Sequence, residues 1–105
     1  MKTVITSQGS TKNSPFDKRF GKANWFCLVN EKSGETTFIK NENDEMTHGA
    51  CKKAADLLSG LNVRKIISGH FGPNATKALT KDNIQMVLIE DQNQTIEEII
   101  ESIKP

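Results

Sequence analysis

KIISGHFGPNA, residues Lys65–Ala75, is the stretch whose reading decides the fold. An apolar run ends at Ser68, and Pro73 presets the φ of a first helical turn. The segment reads as a strand handing over to a helix, the opening half of a crossover between parallel strands. A bare connection of this kind needs one flexible residue and a cap. Here Gly69 and Gly72 bracket His70 and Phe71, which is more chemistry than a change of direction requires.

Downstream, IQMVLI (Ile84–Ile89) is apolar on both faces and reads as a buried strand. Thr95-Ile96-Glu97-Glu98 is a capping box, and Ile96, Ile99, Ile100 and Ile103 form the helical stripe behind it. Upstream, Cys51, Ala54, Ala55 and Leu58 recur at helical spacing, with Thr47 as N-cap and Gly60 as the stop. Trp25–Asn30 and Glu35–Asn41 flank a short Gly34-containing loop and read as an antiparallel hairpin. Lys2–Ser7, rich in β-branched residues, is a further strand. The predicted order is β-β-β-α-β-α-β-α, with helices over Pro73 to about Asp82 and from Ile96 onward. Right-handed crossovers then give an α/β fold: one five-stranded mixed sheet, its second strand antiparallel to the rest, covered by three helices.

If the first and fourth strands are neighbours, the chain reverses direction between them, and ligands favour such a switch point. Three connections leave the sheet on that edge: Ser7–Ala23, Glu42–Thr47 and the SGHFGPNA turn.

Composition narrows the function. The 105 residues suit one domain, and 14 basic against 13 acidic side chains leave a net charge of +1. No global field draws the chain to nucleic acid or to an anionic membrane, so any anion affinity is local. With no apolar run of membrane-spanning length and no leader-like segment after Met1, a soluble, cytoplasmic protein is expected. Cys27 and Cys51 lack CxxC spacing and are expected as reduced thiols, Cys27 as part of the core.

At the turn, the amides around Gly72 to Asn74 sit at a helix N-terminus, where orphan donors and the helix dipole attract an anion. The plain alternative is a strand-to-helix connection with Pro at N1. No Gly-Lys-Ser/Thr follows, so this is not a nucleotide P-loop. Ser7–Ala23 is long for a structureless loop and gathers Lys12, Lys18, Arg19 and Lys22 around Phe16 and Phe20. It reads either as a loop pinned by two aromatics or as a mobile basic flap, with Arg19 as anion donor and Gly21 as hinge; its place over the switch point favours the flap. His48 and Cys51 are one helical turn apart, and His70 shares their edge, a candidate set of transition-metal ligands. Cys51 fits the apolar stripe equally well. No nucleophile elbow or inward carboxylate pair supports catalysis.

SPFDKRFGKANWF (Ser14–Phe26), HGACKKAADLL (His48–Leu58) and SGHFGPNATKAL (Ser68–Leu79) resemble, in this order, the dinitrogenase iron-molybdenum cofactor biosynthesis family. That family includes NifX-like proteins, the C-terminal domain of NifB-like proteins and orange-protein-like carriers of molybdenum-copper clusters. Nitrogen-fixation members often carry a cofactor-associated His where this chain has Arg19, which brings it nearer the orange-protein-like members. The resemblance implies a ribonuclease-H-like motif and a single cluster- or anion-binding domain over residues 1–105. The implied role is non-enzymatic carriage of a metal-sulfur cluster, of Mo-Fe or Mo-Cu type, or of molybdate or thiomolybdate. Arg19, Lys22, Gly69, His70, Phe71, Gly72 and Asn74 are the expected anion contacts, with His48, Cys51 and His70 as candidate metal ligands. A cofactor-assembly or acceptor protein is the expected partner. The alternative is a protein-interaction or regulatory module with no metal ligand.

Overall fold

The computed structural model describes residues 2–42, 50–91 and 93–103, without the side chains of residues 50–52. Its elements are β1 (Lys2–Ser7), β2 (Trp25–Asn30), β3 (Thr36–Lys40), α1 (Ala50–Ser59), β4 (Val63–Ser68), α2 (Pro73–Lys81), β5 (Gln85–Leu88) and α3 (Ile96–Ile103). The sheet order is β3-β2-β1-β4-β5, with β1 antiparallel to β2 and parallel to β4. The strands to either side of the β1–β4 pair therefore run outward in opposite directions, and the switch point lies where the sequence places it. The Thr47 cap and His48 lie outside the described residues.

Period-2 alternation sorts the core into two layers. Val4, Phe26, Leu28 and Ile66 face Ala54, Ala55 and Leu58 of α1 and Ala75 and Leu79 of α2. Their neighbours Ile5, Cys27, Val29 and Ile67 face Ile96, Ile99 and Ile100 of α3. Asn62 and Asn83 adopt positive φ, 63° and 57°, at the turns after α1 and α2. Asn tolerates that backbone well, which lets each helix stop sharply before the next strand.

The structure corrects one strand. β5 is apolar on both faces because it is packed by both layers, Met86 on one side and Val87 on the other. It is nonetheless an edge strand, not a buried one. Among the described residues its outer side has no neighbour in the sheet, and Leu88 remains 62% exposed. Apolar content on two faces reports two covering layers, not a strand on either side.

The long loop is also corrected. Residues 12–23 do not form a free flap, because their backbone is tied at point after point. Gln8 N–H donates to the Pro15 carbonyl and Asp17 N–H to the Thr6 carbonyl, each at 3.0 Å. Ile96 and Glu97 N–H donate to the carbonyls of Ser14 and Lys12, at 3.0 and 2.8 Å, so the loop supplies acceptors to the first turn of α3. Phe16 is buried in the α3 layer and Phe20 in the α1/α2 layer, and the segment thus straddles the sheet with one aromatic in each core. Buried Asn41 closes the far end, donating through Nδ2 to the carbonyls of Gly21 (3.0 Å) and Ala23 (2.7 Å). The position read as a hinge is a clamped turn.

Candidate anion-binding edge of the sheet

The site begins with two hydroxyls. Thr6, at the end of β1, is fully buried and donates its hydroxyl to the Asp17 carbonyl; Ser68, at the end of β4, donates to the Lys18 carbonyl at 3.3 Å. Gly69 N–H donates to the same Lys18 carbonyl at 3.2 Å. These bonds lay the loop along the outgoing turn, so that Arg19 and His70 pair as parallel neighbours. One residue further on, the Phe20 and Phe71 rings meet at a tilt with centroids 5.5 Å apart.

Gly69 spends its amide on the loop and acts as a strut, not an anion donor. Phe71 is half-buried against Phe20 and is likewise an anchor. His70 and Asn74 are exposed, and Lys22 is half-buried. Gly72 is the N-cap of α2 at φ −71° and ψ 170°, with its carbonyl accepting from Thr76 N–H and Oγ1, each at 2.9 Å. Among the described residues, no side chain caps this helix. Pro73 has no N–H to offer, which leaves the amides of Asn74 and Ala75 as the first-turn donors that a side-chain cap would otherwise engage.

The contrast with α3 is informative. There Thr95 and Glu98 form the capping box in both directions, with Glu98 N–H on Thr95 Oγ1 at 3.2 Å and Thr95 N–H on Glu98 Oε1 at 3.0 Å, and the loop carbonyls serve the remaining donors. Among the described residues, no atom lies within 4 Å of where a Cβ on Gly72 would stand, so they leave space beside the first turn of α2.

Asp17 engages Arg19 at this edge. Asp17, its side chain 3% exposed, accepts from Arg19 backbone N–H at 2.9 Å, from Nε at 3.1 Å and from Nη2 at 3.0 Å. Sequence reasoning missed Asp17. The available signal was an acid two residues before an arginine on a segment bracketed by Phe16 and Phe20. Beside the pair, a groove of about 470 Å³ is lined by Gln8, Phe16, Asp17, Lys18, Arg19 and Asn93.

Among the described residues, no group of three or more His, Cys, Asp or Glu side chains is arranged to hold a metal ion. His48 and the Cys51 side chain lie outside the description. Cys27 is buried in the α3 layer, and burial, only partly opposed by the charge of Lys12, pushes its thiol up to about 12. It is a core residue, as its place in β2 suggests.

The family model for the dinitrogenase iron-molybdenum cofactor matches residues 1–105. The chain belongs to this family. Its membership links it with the handling of that cofactor. Among solved structures, the apo form of the orange protein from Desulfovibrio gigas is similar with a TM-score of 0.86 and 24% identity, over 95% of this chain and 83% of that one. A putative NifB protein from Thermotoga gives a TM-score of 0.84 and 25% identity, over 96% and 84% respectively. No curated protein matches. Among the described residues of this family member, no helix is long and apolar enough to cross a membrane.

Proposed function

We propose that the chain carries an anionic metal-sulfur cluster, or a molybdenum oxo- or thio-anion, as cargo at this edge and passes it to a cofactor-assembly or acceptor protein. One observation carries the reading: a helix N-terminus that no described side chain caps, at Gly72, stands at the same edge as an arginine held in place by a buried acid. Charge-assisted hydrogen bonds from Arg19 and the lysines, together with the amides of Asn74 and Ala75, suit a closed anion whose outer atoms are oxygen or sulfur. The described residues fit such a grip better than direct ligation, since they contain no three-ligand set. The role is binding and transfer, without bond-making by the protein.

The test is an anaerobic titration of the 15N-labelled protein with tetrathiomolybdate, alone and with Cu(I). Amide signals of residues 18–22 and 69–76 are expected to shift, with saturation. Arg19→Ala is expected to weaken binding by about tenfold or more, the size of a charge-assisted hydrogen bond, while His70→Ala changes it by less than about threefold. Shifts confined to the hairpin turn at residues 31–34 would sink the proposal.

A further inference from the structure

Asp17 presents a puzzle for an anion site. It places a negative carboxylate directly on the arginine that should attract the ligand, cancelling its formal charge. A site built on net charge alone would do better without it. The geometry offers a different use. The Asp17 backbone is fixed to β1 through Thr6, by the Asp17 N–H to Thr6 carbonyl bond and by the Thr6 hydroxyl to Asp17 carbonyl bond. From that fixed point its two carboxylate oxygens meet Nε and Nη2 of Arg19, and Oδ1 also takes the Arg19 backbone N–H. The long arginine side chain is therefore set in one rotamer by a bidentate contact before any ligand arrives. The Arg19 side chain is still 54% exposed.

We infer that Asp17 is a positioning residue, which aims the outer edge of the Arg19 guanidinium at a bound oxo- or thio-anion and prepays the ordering of that side chain. The inference rests on the cargo reading above. It predicts the opposite sign from electrostatics. Asp17→Asn preserves shape and raises the net charge by one, so a site governed by charge binds an anion more tightly in the variant. A site governed by aim binds more weakly, because the amide cannot present two acceptors to the fork.

The experiment measures tetrathiomolybdate affinity by calorimetry under argon for wild type, Asp17→Asn, Arg19→Lys and the double variant, alongside 15N spectra of the Arg19 Nε–H group without ligand. Asp17→Asn is expected to lose tenfold or more in affinity. Arg19→Lys, which keeps charge and loses the fork, is expected to lose as much, and the double variant no more than Arg19→Lys alone. The Nε–H signal is expected to be protected from exchange in wild type and lost in Asp17→Asn. Equal or tighter binding by a folded Asp17→Asn protein, or an unprotected Nε–H in wild type, overturns the inference and leaves the cargo reading standing. A protected Nε–H with no wild-type affinity for tetrathiomolybdate overturns the cargo reading, and the inference with it.

Discussion

Phe20 and Phe71 meet with ring centroids 5.5 Å apart and planes inclined at 37°, and Phe26 of β2 backs Phe20 at 6.2 Å. The contact joins a residue of the long loop to a residue of the turn after β4, on the side of the sheet covered by α1 and α2. It explains how two irregular segments hold one geometry. The bonds from the Ser68 hydroxyl and the Gly69 N–H to the Lys18 carbonyl fix their register, and the ring contact holds the core side.

Phe20→Ala should destabilise the fold by about 3–5 kcal/mol, as for large core aromatics, whereas Phe71→Leu, which keeps apolar bulk and loses only the ring pairing, should cost about 0.5–1.5 kcal/mol. Urea denaturation followed by Trp25 fluorescence measures both. Equal costs would mean that the turn, not the loop, holds the core side of the edge.

Gly72→Ala separates ligand space from stability. The φ of −71° and ψ of 170° suit any residue, and the added methyl meets no atom of the described residues, so stability should change by no more than about 0.5 kcal/mol. Affinity for tetrathiomolybdate should fall severalfold, because the methyl takes space next to the first-turn amides. Unchanged affinity would place the anion away from α2.

Asn41→Ala removes the donor that holds the Gly21 and Ala23 carbonyls. With those groups buried and deprived of a partner, the loss should be about 1–3 kcal/mol. Hydrogen exchange should quicken first around residues 19–24, before global unfolding; uniform quickening across the sheet would show that Asn41 has no local role.

The Cys27 thiol, raised to about 12 by burial, sets a pH signature. In the unfolded chain a cysteine ionises near pH 8.5, so between there and pH 12 the unfolded state has lost a proton that the folded state keeps. Stability is then fully present below about pH 8.5 and falls as pH rises through that window. Cys27→Ala should flatten part of the decline. In the native protein at pH 8, mass spectrometry after brief alkylation should find Cys27 unmodified; rapid modification would show that the α3 layer opens readily.

Local residue order determined the elements and their kinds. The 2-residue alternation of WFCLVN, the helical stripe behind Thr95 and the Gly-Pro turn after KIIS each express a period or a cap within one element, and each element formed where those signals lie. The switch point was conditional on β1 and β4 being neighbours, and the sheet order supplies that adjacency. What the sequence could not determine was the behaviour of residues 7–23. Their structure is carried by backbone N–H and C=O groups, present in every residue and therefore silent in the sequence, reaching Thr6, Gly69, Gln94, Ile96 and Glu97 across the fold. Asp17 was hidden for the same reason, since an acid in a polar stretch looks solvated until the tertiary fold buries it. The edge position of β5 was equally a matter of assembly: its composition reports the layers above and below, while the presence of a neighbouring strand depends on hydrogen bonds that no side chain encodes.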